Sequence, residues 1–147
     1  MLAPGEYSDT LRALGRFVEI LGGIEIKIID SGDRLELSWI GRSGARDERL
    51  WGPHELAALR TTIRQFRGLE GGHPRFTTAE LLRTVGRELD QREAQAVTII
   101  ETTDGFSVSA QTGRDRFGQL YSYSDLVARS HAFHQGRGPD DITQDGM

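Results

Sequence analysis

Five arginines lie in or beside two short glycine-containing segments, at residues 41–47 and 112–116: Arg42, Arg46, Arg49, Arg114 and Arg116. Arginine makes bidentate hydrogen bonds to phosphate oxygens, so these segments could contact a nucleic acid. Acidic residues are interleaved with the arginines, namely Asp47, Glu48 and Asp115. Because mixed charge of this kind is typical of a solvated loop, we treat nucleic-acid binding as an alternative interpretation that is not favoured.

Two histidines and one tyrosine near the carboxyl end are further candidates for chemistry. His131 and His134 have the i, i+3 spacing that can present two imidazoles to one metal ion, but no third ligand stands nearby in the sequence. We therefore predict no metal site and no cofactor. Tyr123 is the aromatic residue that we expect to be partly exposed and available to a partner.

The other large aromatic residues have positions that favour packing. Trp39 shares a predicted strand face with Leu35 and Leu37, while Trp51 and Tyr121 stand at aligned positions just before predicted helices. Each could in principle stack on a base or anchor an interface. We expect all three in the hydrophobic core.

No pattern in the sequence indicates catalysis. The chain has no cysteine, which excludes disulfides, cysteine nucleophiles and thiolate metal sites. Its serine, histidine and aspartate residues show no ordered spacing, and no motif places a pair of acids for general acid–base work. We expect a protein that is not an enzyme.

The chain is similar to itself at an offset of 71 residues. Residues 11–38 align with 82–109 without a gap, and eight of these 28 pairs are identical, including Ile28 with Ile99 and Ile29 with Ile100. At an offset of 70, residues 50–68 align with 120–138, where six of 19 pairs are identical. Chance would give roughly one match in seventeen, so the sequence predicts a tandem duplication.

Each copy has the pattern of an α-β-β-β-α unit. A first helix starts near Ser8 in one copy and after a Thr77 to Glu80 capping box in the other. Strands are predicted at 24–30 and 34–40, and at 97–101 and 106–110, with Asp104-Gly105 as a hairpin turn. Short third strands follow at 50–51 and 120–121, and the closing helices begin after Gly52 and Ser122.

The predicted fold class is α+β, a tandem duplication with antiparallel sheets, helices packed on one face and pseudo-two-fold symmetry. Its predicted parts are an N-terminal segment (1–10), a first unit (11–68), a linker (69–76), a second unit (77–138) and a disordered acidic tail (139–147). The sequence leaves open whether the sheets of the two units join.

Composition limits the class of protein. Hydrophobic residues at 37% and charged residues at 27% are typical of a soluble globular protein, and no apolar run is long enough to span a membrane. No secretory signal precedes the first unit, so we expect a cytoplasmic protein. The net charge is −4, and neither unit has the basic excess of a general phosphate binder.

The preferred interpretation is a non-catalytic protein-interaction or assembly module. Two homologous α+β units would present a sheet or helix surface to a protein partner or to a second copy of the chain. This interpretation requires an exposed apolar patch or an unpaired sheet edge. The alternative is a nucleic-acid-associated or regulatory protein that uses the arginine-rich loops between the second and third strands of each unit.

Overall fold

The computed structural model describes residues 6–31, 34–65 and 77–136, without the side chains of residues 60, 62–65, 131 and 133–136. It contains four helices and six strands in the described part of the chain. In chain order these are α1 (Tyr7–Leu21), β1 (Ile24–Asp30), β2 (Leu35–Ile40), β3 (Arg46–Trp51), α2 (Pro53–Gln65), α3 (Thr78–Gln91), β4 (Gln95–Glu101), β5 (Gly105–Thr112), β6 (Asp115–Ser122) and α4 (Tyr123–Gly136).

The six strands form one antiparallel sheet. Their order is β3-β2-β1-β4-β5-β6, so the two first strands, β1 and β4, lie side by side at the centre. Ile28 is paired with Ile99, Lys27 with Ile100, and Ile29 with Thr98. The α+β class is confirmed. The sequence left open whether the sheets of the two units join, and the structure shows that they are continuous.

Alternate residues on the strands point into a single hydrophobic core. On the central strands these are Ile26, Ile28, Val97 and Ile99, each at most 2% exposed. The same core contains buried side chains from the helices, including Leu14, Leu82, Leu56 and Leu126 on α1, α3, α2 and α4 respectively. The alternate apolar residues of the strands and the apolar residues of the helices therefore pack together in one core that excludes water.

Helices α1 and α3 pack closely because each has a glycine at the contact. A Cβ atom built on Gly15 would lie 2.7 Å from Ala79 Cα, and one built on Gly86 would lie 2.5 Å from Ser8 Cα. Real carbon atoms do not approach this closely, so the two backbones can meet only where side chains are missing. The backbones of α1 and α3 are therefore in direct contact.

Side-chain and backbone caps define several helix ends as the sequence predicted. Thr77 accepts a hydrogen bond from the Glu80 backbone N–H at 3.3 Å, and Ser122 accepts one from Asp125 at 3.1 Å. At the end of α1, Gly22 adopts a left-handed conformation with φ of 71°, and its N–H bonds back to the helix. Helix α1 therefore ends before Gly22, and β1 begins two residues later, at Ile24.

The third strands are longer than predicted. Strand β3 begins at Arg46 and β6 at Asp115, inside segments that the sequence analysis assigned to loops. Both turns contain a glycine with positive φ, Gly44 at 86° and Gly113 at 63°. Because such a residue allows a tight reversal of the chain, the strands pair almost up to the turn.

Another boundary that differs from the predictions is the hairpin between β4 and β5. It turns at Thr103 and Asp104, while Gly105 begins β5. A Cβ on Gly105 would lie 2.0 Å from the Tyr121 carbonyl, so this glycine is required for strand packing. Helix α1 begins at Tyr7, close to the predicted start near Ser8, and Tyr7 is only 1% exposed. The predicted linker (69–76), the predicted tail (139–147) and residues 1–5 of the predicted N-terminal segment lie outside the described residues.

The close contact between α1 and α3 predicts that Gly86→Ala destabilises the protein by about 1–3 kcal/mol, because the added methyl group overpacks the contact between the two helices. Alanine would otherwise favour the helix. Gly118→Ala is the matched control, since its Cβ would lie 3.9 Å from the nearest atom, the Val108 carbonyl oxygen. Chemical denaturation measures both free energies of unfolding. Equal stability of Gly86→Ala and the wild type would contradict this account of the contact.

Candidate interaction surface

The five arginines singled out in the sequence lie on different structural elements. Arg42 and Arg114 are in turns, whereas Arg46 and Arg49 lie on β3 and Arg116 lies on β6. All five are exposed. The two predicted arginine-rich loops are therefore tight turns with only one arginine each.

The arginines of β3 point to opposite sides of the sheet. Arg46 donates to Ser38 Oγ at 3.0 Å and lies 3.8 Å from Glu25 Oε1. Arg49 stacks over the rings of Phe17 and Trp51, at 5.7 and 5.5 Å from their centres. Strand alternation separates two cations that stand only three residues apart in sequence.

The two turns lie at diagonally opposite corners of the sheet. The β2–β3 turn and the β5–β6 turn are on opposite edges, since β3 and β6 are the outermost strands. Antiparallel pairing through β1 and β4 also places them at opposite ends of the strands. With neighbouring strands about 4.8 Å apart, the edges are separated by about 24 Å. The arginines thus do not form one continuous basic surface.

The hydroxyl group of Tyr123 is engaged within the protein. Its side chain is half-buried, as predicted, and its Oη donates a short hydrogen bond to Glu101 Oε2. Its ring meets Phe106 edge to face, with 5.7 Å between the ring centres. Burial, followed by the hydrogen bond and the charge of Glu101, raises the pKa of Tyr123 above its ordinary value. Tyr123, the first residue of α4, therefore contacts both β4 and β5.

A second tyrosine–carboxylate pair lies deeper in the core. Tyr7 Oη donates to Asp30 Oδ2 at 2.7 Å, and both residues are buried. Burial and the adjacent Asp30 carboxylate raise the pKa of Tyr7 well above its ordinary range. Asp30 and Glu101 occupy aligned positions at the 71-residue offset, although their tyrosine partners come from different helices.

The remaining large aromatics are confirmed as core residues. Trp39, Trp51 and Tyr121 are 7%, 4% and 1% exposed. Phe17 meets Trp39 and Trp51 edge to face, with ring centres 5.8 and 5.4 Å apart. These rings are therefore not free to stack on the bases of a nucleic acid.

The strand residues that alternate with the core residues form a second surface, which we call the open face. One row across all six strands is Glu48, Ser38, Lys27, Ile100, Ser107 and Leu120. The neighbouring row is Leu50, Glu36, Ile29, Thr98, Ser109 and Gly118. Most of these side chains are small or charged, as expected for a sheet surface in contact with water.

Four apolar residues cross the open face as an apolar diagonal: Leu50, Ile29, Ile100 and Leu120. Leu50, Ile100 and Leu120 are 46%, 42% and 51% exposed, and Ile29 is half-buried. The two rows place Ile29 and Ile100 on adjacent strands at the centre, with one leucine on each edge strand. This diagonal is an exposed apolar feature on a face that the described core does not use.

A shallow polar depression of about 410 Å³ lies beside the diagonal. Its lining includes the carboxylates of Glu25, Glu36, Glu48 and Glu101 and the cations of Lys27 and Arg46. Ligand pockets for small molecules are usually concave and mostly apolar, unlike this one. Glu101 is on β4, so the β3-β2-β1 part of the sheet contributes three carboxylates and two cations and has a net negative character.

Another exposed apolar group lies where α1 turns into β1. Ile20, Leu21 and Ile24 are 54%, 39% and 58% exposed. At the 71-residue offset their aligned residues are all polar, namely Gln91, Arg92 and Gln95. The apolar character of this junction therefore belongs to one half of the chain, whereas the diagonal belongs to both.

The side chains of His131 and His134 lie outside the described residues. Among the side chains that are described, no three carboxylates or histidines converge where they could hold a metal ion.

None of the helices in the described ranges is long and apolar enough to cross a membrane.

Comparison with protein-family models, with curated proteins and with solved structures finds no match for this chain. The surface must therefore be interpreted from its own geometry. The sequence analysis did not single out the apolar diagonal, although a signal was present. Leu50/Leu120 and Ile29/Ile100 are identical pairs in the self-alignment, and alternation places them opposite the core-facing residues.

The buried Tyr7–Asp30 pair predicts a loss of stability at alkaline pH. A folded pKa above the unfolded value of about 10 means that the neutral hydroxyl stabilises the fold fully below pH about 10 and progressively less above it. Tyr7→Phe should lower the free energy of unfolding by about 1.5–3 kcal/mol at neutral pH, since Asp30 loses a hydrogen bond.

Denaturation of both proteins between pH 7 and 11 measures this difference in stability. We expect the gap between wild type and Tyr7→Phe to stay constant up to pH about 10 and then to narrow. Tyr123→Phe, at a half-buried site, serves as a comparison and should show a smaller loss at neutral pH. A gap that does not narrow above pH 10 would argue against the raised pKa.

Proposed function

We propose that the protein is a non-catalytic protein-interaction module, and that its partner binds the open face of the sheet. The apolar diagonal is the observation that carries this proposal. Leu50, Ile100 and Leu120 are between 42% and 51% exposed on one face. Apolar residues at the surface are common singly, but four of them on one face, in two pairs at aligned positions, favour a binding role.

We also propose that the chain is a tandem duplication with a pseudo-two-fold axis between β1 and β4, and that the helices cover one face of the sheet. Ile28 and Ile99, which align in sequence, face each other across the central pair. Glu25 and Ala96, aligned at the same offset, both have unusual positive φ, at 53° and 52°. Each lies in an irregular stretch of its strand.

The helix contact supports the same symmetry. Gly15 meets Ala79 and Gly86 meets Ser8, and these two contacts are exchanged by the 71-residue offset. A close backbone contact is a demanding feature, because either glycine would clash if it carried a side chain. Two such contacts in equivalent places are well explained by two copies of one unit.

The duplication matters for function because it repeats the exposed apolar residues. Ile29 and Leu50 in the first unit correspond to Ile100 and Leu120 in the second. At a core position an apolar side chain is needed because its truncation would leave a cavity. The side chains of the diagonal face away from the core, so this reason does not apply to them. Binding gives a reason for apolar residues at both pairs of positions.

An amphipathic helix is the partner element that fits the apolar diagonal. Leu50 and Ile29 are two strands apart, as are Ile100 and Leu120, which gives about 10 Å for each pair. Residues two turns apart on a helix are separated by about 10.5 Å along its axis. A helix of about five turns could therefore place successive apolar residues over all four members of the diagonal.

Charge indicates how this helix would be oriented. At the β3-β2-β1 end the depression has three carboxylates and two cations, and Arg46 already contacts Ser38 and Glu25. The opposite end of the open face has the neutral residues Ser107, Ser109 and Gly118. We expect the end of the partner helix that lies over Glu36 and Glu48 to be basic.

The test is affinity capture from a lysate of the source cells, treated with nuclease, with wild-type protein and with Leu50→Lys/Leu120→Lys. We expect a stoichiometric protein partner that the double variant binds at least about tenfold more weakly, because the variant removes two apolar anchors. The affinity is then measured with the purified partner. Circular dichroism and thermal unfolding establish that the variant is folded.

The matched control is Thr61→Lys/Gln91→Lys, which adds the same two lysines at exposed helix positions away from the open face. It should bind like the wild type. A partner that is lost with Ile20→Ser but retained by the Leu50/Leu120 variant would place the interface at the α1–β1 junction and contradict the open-face proposal. Recovery of nucleic acid without a protein, when nuclease is omitted, would contradict the interaction module itself.

A further inference from the structure

We infer that the free edge of β6 pairs with β6 of a second copy of this chain, which makes the protein a two-fold symmetric dimer with one sheet running through both copies. The inference rests on the difference between the two sheet edges, and it does not depend on the open-face proposal. Strands β3 and β6 are the two edges. Each edge strand has backbone N–H and C=O groups on one side that the sheet does not pair.

The β3 edge has the features that prevent strand pairing. Its first four residues, Arg46, Asp47, Glu48 and Arg49, are all charged and all exposed. The β6 edge carries charge only at Asp115 and Arg116. From Phe117 to Ser122 it is uncharged, and it includes the exposed residues Gly118 and Leu120. Charged edge strands resist unwanted pairing, so only β6 is left open to another strand.

Symmetry strengthens the argument against β3. When two identical edge strands pair antiparallel about an axis perpendicular to the sheet, one residue must face its own copy on the axis. A centre at any residue from Arg46 to Arg49 therefore apposes two like charges. Side chains directly opposite each other have Cβ atoms about 5 Å apart, where like charges are destabilising.

On β6 the register centred on Gln119 avoids this problem. It faces Gln119 with its own copy, Phe117 with Tyr121, and Gly118 with Leu120. The Phe117–Tyr121 pair joins two aromatic residues, a favourable cross-strand combination. Leu120, at 51% exposure, would lie against the bare backbone of Gly118, whose neighbourhood is open. Arg116 faces Ser122, so no like charges are opposed.

The position of Gln119 makes it suitable for testing. Gln119 pairs with Val108 on the core side of the sheet, so changing it does not alter the open face. Arg49 occupies the aligned position in the first unit, and its long cationic side chain fits beside Phe17 and Trp51. In the second unit Arg92 and Arg129 already lie over the rings of Phe117 and Tyr121, so thermal unfolding is used to establish that Gln119→Lys is folded.

Sedimentation velocity of the full chain, from about 5 µM to about 500 µM, is the first measurement. Pairing of one strand buries an area at the low end of specific interfaces, so we expect a reversible, concentration-dependent dimer. Gln119→Lys should weaken the dimer at least about tenfold by placing two cations on the axis. Glu48→Lys, which places a lysine on the other edge strand, should leave the dimer unchanged.

Because the chain has no cysteine, a disulfide test reports the register directly. Gln119→Cys should form a disulfide-linked dimer under mild oxidation, since the two sulfur atoms would meet on the axis. Glu48→Cys should cross-link much more slowly at the same concentration. Both variants remain reducible, which allows the monomer to be recovered as a control.

Three results would overturn the inference. The first is a wild-type protein that stays monomeric throughout the concentration range. The second is a dimer weakened by Glu48→Lys but not by Gln119→Lys, which would place the contact at β3. The third is equal cross-linking of the two cysteine variants. Because Leu50→Lys/Leu120→Lys also changes the β6 edge, partner capture is repeated with Gln119→Lys, which leaves the open face intact and should retain the partner. Failure of either proposal is then recognised separately.

Discussion

The antiparallel pairing of β1 with β4 is the interaction on which the rest of the structure depends. Ile28 faces Ile99 at this joint, and both side chains are at most 1% exposed. Joining the two sets of three strands produces a six-stranded sheet, and α1 and α3 meet each other through Gly15 and Gly86.

This joint also determines which surfaces are free. Once β1 and β4 are central, β3 and β6 become the edges, and the turns that carry Arg42 and Arg114 move to opposite corners. The same arrangement brings Ile29 and Ile100 together at the middle of the open face. The β1–β4 pairing thus places Arg42 and Arg114 far apart and Ile29 and Ile100 next to each other. For this reason the geometry supports a protein-binding surface better than a phosphate-binding surface.

The two units differ most at their peripheries. In the first, Phe17 and Arg49 pack with Trp51, whereas in the second the aligned residues are Glu88, Gln119 and Tyr121. There Glu88 lies 3.4 Å from both Arg92 and Arg129, so an ionic cluster links α3 and α4. Surface ion pairs contribute little stability individually, and the core does not require this difference. The edges and junctions are therefore where the units can acquire separate roles.

The sequence by itself determined the elements and their order. Helical periodicity, alternation in the strands and the caps at Thr77 and Ser122 act over a few residues, and they place the helices and most strands correctly. They also identified Trp39, Trp51 and Tyr121 as core residues. The lengths of β3 and β6 were underestimated, because charged residues such as Arg46 and Asp47 have low strand propensity and form a strand only when a neighbouring strand supplies hydrogen bonds.

Only the tertiary structure decided how the strands are ordered, where the arginines point and which apolar residues stay exposed. Local pattern marks Leu50 and Leu120 as apolar strand residues, but their exposure depends on which face of the assembled sheet they occupy, where Leu50 pairs with Glu36 and Leu120 with Ser107. The sequence could not distinguish two small sheets from one, since β1–β4 pairing is a long-range contact between segments that are each competent to form a strand. The open face and the uncharged β6 edge exist as surfaces only after that choice is made.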